Sequence, residues 1–361
     1  MWFDSPEVRR GELFMNSDQL PDTVYVLGMS AIKRNMLRSF TQHREIVPLA
    51  EKTEMPKDGV IVLWGAGTLS DALADAATVV RVEDGFLRSV GLGADLTPPV
   101  SWVFDQAGIY YDATRPSDLE LILQHTVFTD VLRLRAARLR ERIVAENLTK
   151  YNVGAGSWQR PNGVQRVILV PGQVETDASL AYGAPGIKTN LGLLQAVRRA
   201  NPQAWVVYKP HPDVLAGLRA RGQGEDQALQ WCDEQVTDLG MGALLPLVDE
   251  LHTLTSLAGF EALLRGKRVV CYGQPFYSGW GLTIDMIPVA RRTRQLTLDE
   301  LVAGALILYP TYISRTTGRF TTPERALDEL LAWRDEEAAS LSLWPRLKRL
   351  VVRLVARCRQ V

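Results

Sequence analysis

Lys209 and His211 stand two residues apart in VVYKPHPDV, and each is followed by proline. Proline keeps the preceding residue extended and stops a helix from starting there, so both side chains belong at a strand's carboxyl end. Downstream, LTSLAGFEALLRGK sets Thr255, Ser256 and Gly259 at a helix start and Glu261 one turn in. A helix start offers unpaired N–H groups and positive dipole to a phosphate, and hydroxyls add donors. Lys209 or His211 would stabilise a leaving phosphate, and Glu261 suits a ribose diol. Taken singly, Thr255 and Ser256 read equally well as a helix cap, and His211 as a satisfied core residue. Together they point to nucleotide binding.

Two further segments carry carboxylates. In RVEDGFLRSVGLGADL, Glu83 and Asp84 end a β-branched run and a glycine-rich loop follows. Glu83 is placed for acid/base work, whereas Asp84 reads as a side-chain cap on the next turn. In VILVPGQVETDASL, a strand runs into Pro-Gly and then Gln173, Glu175 and Asp177. One of the two carboxylates, Glu175 or Asp177, suits a nucleophile at an anomeric carbon; alternatively the loop supplies the N-cap of a helix beginning near Ala178. Gly65-x-Gly67 in VLWGAGTLS imitates a dinucleotide fingerprint, but Ser70 replaces the third glycine and an earlier strand precedes it.

These residues need a scaffold that gathers strand ends. Short apolar, β-branched runs predict strands at 23–27, 60–64, 79–82, 167–170, 204–208 and 269–272. Helical spacing predicts helices at 119–126, 132–146 and 191–200. Strands alternating with helices mean α/β architecture with parallel sheets covered on both faces. The Gly-, Asn- and Pro-rich stretch YNVGAGSWQRPNGVQ interrupts the alternation. The chain thus divides into an N-terminal extension (1–20), a first Rossmann-like domain (21–150), a linker (151–165), a second Rossmann-like domain (166–320) and C-terminal helices (321–361). Ligands are expected in the cleft between the two domains.

Of the 361 residues, 46% are hydrophobic and 23% charged, which argues for a folded chain over disorder. Forty-one basic and 41 acidic residues cancel, so no global field favours nucleic acid. Three scattered cysteines, Cys232, Cys271 and Cys358, form neither a metal pattern nor a disulfide framework, as expected in a reducing compartment. The charged N-terminus lacks a signal peptide's apolar stretch, and no apolar run is long enough to cross a bilayer. A cytoplasmic protein is expected. The end of the chain differs: Leu347, Leu350, Val351, Leu354, Val355 and Cys358 form one helical stripe among arginines and a lysine, with no acid. Such a helix, 344–361, either lies on an anionic membrane surface or packs its stripe on the domain.

The Lys-x-His-Pro element with a Ser/Thr pair at a helix start resembles the CMP-binding signature of bacterial sialyltransferases of the GT-B type. More specifically, the chain resembles the capsule polysaccharide β-Kdo transferases, long labelled capsule export proteins. The resemblance rests on RVEDGFLRSVGLGADLTPP, GIYYDATRPSDLE, LTKYNVGA, ILVPGQVETDAS, YKPHPDVLAG, TSLAGFEALLRGKRVVCYGQPFYSGWGLT and ILYPTYI, in order across about residues 60 to 315. The family's common form carries two such modules, and this chain is most similar to the C-terminal one.

The resemblance implies a retaining, metal-independent transferase with no cofactor, moving Kdo from CMP-β-Kdo onto a Kdo-bearing (lyso)phosphatidylglycerol glycolipid. It implies Asp177 as nucleophile, Glu83 as acid/base carboxylate and His211 facing the CMP phosphate, with Lys209, Thr255, Ser256, Gly259 and Glu261 around the nucleotide. Thr176 departs from the acidic residue usual beside the nucleophile. Arg88, Lys188 and Lys209 are candidates for the Kdo carboxylate. Tyr110, Tyr111 and Arg115 are candidates for the acceptor side, and Tyr277 and Trp280 for stacking or packing. Expected partners are the glycolipid, the inner face of the cytoplasmic membrane through 344–361 and other capsule assembly proteins. A non-catalytic export protein, another CMP-sugar (sialyl) transferase, a UDP-sugar epimerase and a nicotinamide enzyme are the competing readings.

Overall fold

A computed structural model describes residues 17–42, 44–49, 59–90, 97–150 and 156–339. Its strands are β1 (Thr23–Leu27), β2 (Glu45–Pro48), β3 (Val60–Trp64), β4 (Thr78–Asp84), β5 (Ser101–Asp105), β6 (Val167–Pro171), β7 (Trp205–Lys209), β8 (Glu234–Gln235), β9 (Glu250–Thr253), β10 (Arg268–Cys271), β11 (Ile284–Asp285), β12 (Pro310–Ile313) and β13 (Phe320–Thr321). They form two sheets, ordered β13-β12-β5-β4-β3-β1-β2 and β11-β10-β9-β6-β7-β8. This is the expected α/β architecture of two Rossmann-like halves.

The second sheet is parallel throughout. Numbered along the chain, its strands run 3-2-1-4-5-6, so the topology reverses between β6 and β9. That reversal opens a crevice at the strands' carboxyl ends, because the following connections diverge to opposite faces. The first sheet is mixed: β1 to β4 are parallel, whereas β5 is antiparallel to β4 and to β12.

Three expected boundaries need correction. Residues 310–320, assigned to the second domain, return with Thr321 to the first sheet. All of β5 is buried, and its outer edge requires a hydrogen-bonding partner, which β12 supplies. Tyr309 adds a tie by donating its hydroxyl to Asp105 at 2.7 Å. Residues 156–165 are a strap on the second half: Trp158 is buried and donates to Glu234 at 3.0 Å, and Arg160 donates to Asp249 at 2.9 Å. Within the nominal extension, Ser17 and Leu20 are buried, and Ser17 donates to Thr311 at 3.2 Å. Cys358 and the 344–361 stripe lie outside the described residues. No helix among the described residues is long and apolar enough to cross a membrane.

The halves share one apolar core. Phe86, Ile109, Leu119 and Leu123 pack in the same cluster as Leu169, Leu251, Phe260 and Trp280. At the seam, Phe86 stacks on Phe276 with centroids 4.5 Å apart, and Tyr110 meets Phe276 edge-on at 5.9 Å. Buried Glu120 joins Arg291 and Arg292, and Arg292 holds the carbonyls of Pro275 and Ser278 at 2.5 and 2.9 Å. A buried pair satisfied by additional hydrogen bonds fixes geometry more than it adds stability. Both sides of the cleft above this seam are therefore held in register.

Candidate functional site

The reversal between β6 and β9 is closed by Gln173. Its side-chain amide donates to Thr255 Oγ1 and accepts from the Thr255 N–H, both at 2.9 Å. Its backbone makes a reciprocal pair with the Asn190 amide, at 2.9 and 2.8 Å. Gly172 just before it is dictated by space: a Cβ there would sit 2.6 Å from Tyr208 Oη. Thr255 thus faces the crevice with its hydroxyl already committed. Ser256 caps the helix Leu257–Leu264, its Oγ accepting from the Ala258 N–H at 3.2 Å.

Lys209 ends β7 and lines the same crevice; burial pulls its pKa below the usual lysine range. His211 Nδ1 accepts from the Asp213 N–H at 3.2 Å. Burial depresses the imidazole to about 4, so at neutral pH the ring is uncharged and its proton sits on Nε2. Such a ring is a hydrogen-bond donor at Nε2 without being a fixed charge. Glu261 also lines the crevice, accepts from the Lys150 N–H at 2.8 Å, and is pushed up to about 7 by burial.

Asp177 occupies the N-cap position of the helix Ala178–Gly183, but its carboxylate makes no cap hydrogen bond. Instead Oδ1 lies 3.5 Å from Arg219 Nη2. Glu175 is spent on structure, accepting from Asn190 N–H at 2.7 Å and Gln223 N–H at 2.8 Å.

The facing wall comes from the first sheet. Glu83, the penultimate residue of β4, lines the cleft; burial first, then repulsion from Asp84, pushes its carboxyl up to about 7. Asp84 is not the turn cap expected of it. It pairs with Arg88 at 2.6 Å and accepts from Trp102 Nε1 at 3.2 Å. Gly65, at φ +58, lets Tyr111 and Glu83 approach: a Cβ would stand 2.7 Å from Tyr111 Oη and 3.3 Å from Glu83 Oε2. The Gly65 and Gly67 carbonyls accept from Arg81 at 2.9 and 2.8 Å, so this turn is a braced corner of the cleft. Lys33, in the first turn of the helix Ala31–Phe40, sits over the Trp64 ring at 3.3 Å from its centroid.

One cavity of about 850 Å3 collects Glu83, Arg88, Tyr110, Tyr111, Asp177, Lys209, His211, Thr255, Ser256 and Glu261. Five candidates stand apart from its lining. Lys188 is exposed elsewhere, and Arg115 pairs with Asp112 at 3.3 Å while its carbonyl accepts from Arg291. Gly259 serves packing, since a Cβ would lie 2.1 Å from Tyr277 Oη. Tyr277 and Trp280 are likewise packing residues, fully buried and bonded to the carbonyls of Ser256 at 2.5 Å and Phe276 at 2.8 Å. Gly259→Ala should therefore cost about 1–3 kcal/mol by overpacking, read as a lower denaturation midpoint. An unchanged midpoint would show that the Tyr277 contact is dispensable. Lys33, Trp64, Lys150 and Arg219 line the cavity without having been selected from sequence. A sequence signal existed only for Arg219, two residues after the helix-ending glycine in PHPDVLAGLR.

Comparison with known proteins adds a family. Residues 60–154 and 132–320 match the family described as "Capsule polysaccharide biosynthesis protein". The chain is 43% identical over 327 residues to the capsule polysaccharide modification protein LipA of Neisseria meningitidis serogroup A, covering 87% of this chain and 46% of that relative. It thus spans about half the length of the curated relative. Among solved structures it is similar to the beta Kdo 2,7 transferase of Thermosulfurimonas dismutans KpsC, at 39% identity and TM-score 0.74, over 86% of this chain and 99% of that one. The beta Kdo 2,4 transferase of the same protein gives 32% identity and TM-score 0.73, over 85% and 98%.

Proposed function

The chain belongs to the capsule polysaccharide biosynthesis protein family, and from that premise we propose that it is a retaining β-Kdo transferase. Its donor is CMP-β-Kdo and its acceptor a Kdo-bearing (lyso)phosphatidylglycerol glycolipid at the cytoplasmic face of a membrane, met through the basic stripe 344–361. The higher identity to the 2,7 transferase, 39% against 32%, is the ground for assigning a 2,7 linkage. The observation that carries the reading is the convergence of Glu83, Asp177, Lys209, His211 and Ser256 on one cavity from strand ends of both sheets.

The chemistry follows from their placement. CMP leaves as a phosphate monoester, so negative charge grows on its oxygens. Lys209, the Nε2–H of His211 and the helix start at Ser256 meet that charge as it develops. Asp177 attacks the anomeric carbon and the bond to CMP breaks with its electron pair. Glu83 then takes the proton from the acceptor hydroxyl as that oxygen displaces Asp177. Two inversions give retention. CMP leaves readily and the donors described supply the stabilisation, so the reaction is assigned no metal. Purified protein given CMP-Kdo, formed in situ, and a synthetic lipid ending in β-Kdo should add one Kdo by mass spectrometry, equally well in excess EDTA. No product on Kdo-bearing or Kdo-free acceptors would overturn the transferase reading, and activity lost to EDTA but restored by manganese would overturn metal independence.

A further inference from the structure

The donor proposed above is a 2-keto sugar acid, and its carboxylate is bonded to the very carbon that Asp177 attacks. A near-attack geometry puts the nucleophilic oxygen about 3–3.5 Å from that carbon, so the two carboxylates come comparably close. Like charges at that distance oppose each other. The encounter needs a cation that faces both.

Of the cations considered from sequence, none meets this requirement. Arg88 is held by Asp84 at 2.6 Å and by Ser89 at 2.8 Å. Lys188 lies outside the cavity lining. Lys209 is buried and is already assigned, in the mechanism above, to the leaving phosphate. Arg219 lines the cavity and is half exposed, as is Asp177. Its 3.5 Å contact to Asp177 is longer than a normal hydrogen bond, leaving guanidinium donors for a second anion.

The local fold explains how Arg219 reaches that place. The helix Pro212–Leu215 ends at Gly217, whose φ of +70 is the left-handed conformation glycine adopts without strain. Gly217 N–H bonds Val214 O at 3.0 Å and Leu218 N–H bonds Asp213 O at 2.8 Å. This is the Schellman pattern of helix termination. It turns the chain back, and the Arg219 N–H also bonds Asp213 O, at 3.2 Å. Arg219 is thereby returned to the side of His211 from which the helix started.

We propose that Arg219 binds the carboxylate of the sugar acid donor, bridging it to Asp177. This rests on the transferase reading for the identity of the donor and for Asp177 as the attacking group. The test compares full-length wild type, Arg219→Met and Arg219→Lys by calorimetry without acceptor, using CMP and freshly made CMP-Kdo as separate probes. Arg219→Met should weaken CMP-Kdo binding about 10- to 100-fold, the loss of a charge-assisted bidentate contact, and leave CMP within about twofold. Arg219→Lys should recover part of the loss.

Equal weakening of both probes would assign Arg219 to the phosphate instead and overturn the proposal. Unchanged CMP-Kdo affinity with a lower kcat would make it only a positioning residue for Asp177, overturning it as well. Wild type that binds neither probe would remove both the donor and the assignment. Selective weakening of CMP-Kdo in a protein that transfers to no acceptor would keep Arg219 and discard the transferase.

Discussion

Asp177→Ala is expected to abolish transfer, by at least about 10⁴-fold, while leaving the fold intact. The two halves of this expectation come from separate observations. The carboxylate lines the cavity together with His211 and Arg219, the position the proposed mechanism gives its nucleophile. It also makes no cap hydrogen bond to its own helix. Its charged partner is half exposed, and exposed pairs contribute about 0–1 kcal/mol. Removing Asp177 therefore should move the denaturation midpoint very little. Mass-spectrometric transfer assays and a thermal melt on the same preparation check both. A variant that melts far lower would show that Asp177 is structural after all. A variant that still forms product at a tenth of the wild-type rate or more would remove it as nucleophile.

Glu83→Gln should lower kcat by about 10²–10⁴-fold and erase the acidic limb of the pH profile. Burial first, and then Asp84, raises the Glu83 carboxyl to about 7. A base that must be ionised then gives a rate that rises with pH through about 7. The stability effect has the opposite direction. With the folded pKa above the unfolded value near 4.5, the folded state holds the extra proton. The stabilisation is complete below the unfolded pKa and disappears as pH rises through about 7. Glutamine carries no proton to lose, so the variant should gain on wild type above pH 7, by about 1–3 kcal/mol. Chemical denaturation at pH 5 and pH 8, with kcat over the same range, tests both signs. A wild-type rate flat from pH 5 to 8, or a variant relatively weaker at pH 8, would remove Glu83 as the raised base.

Much of the scaffold was legible because its strands are short apolar runs, buried on both faces in β3 and β6 and on alternate residues in β1. The predicted limits 23–27 and 60–64 coincide with β1 and β3, and 167–170 falls within β6. Two of the strands that escaped notice, β9 and β5, carry buried polar groups with partners remote in the chain. In β9, Glu250 and His252 are buried, and Glu250 is held by Arg166 through two contacts of 2.8 Å, from far back in the chain. In β5, buried Asp105 accepts from the Tyr309 hydroxyl at 2.7 Å, from far ahead in the chain. A polarity pattern cannot reveal a strand whose charges are satisfied at such distances.

Local residue type and spacing determined which side chains stand at strand ends, since alternation, proline and glycine act over a few residues. They brought forward Glu83, Lys209, His211 and Ser256 on that basis, whereas the choice of Asp177 over Glu175 came from the family resemblance. Tertiary structure decided the rest. It set Tyr277 and Trp280 as packing, made Gly259 a clearance for a tyrosine ring, and tied Asp84 to Arg88. It also returned β12 to the first sheet and set Arg219 against Asp177. Each of these depends on a neighbour that another part of the fold supplies, and a side chain's role there is fixed by what fills the space around it.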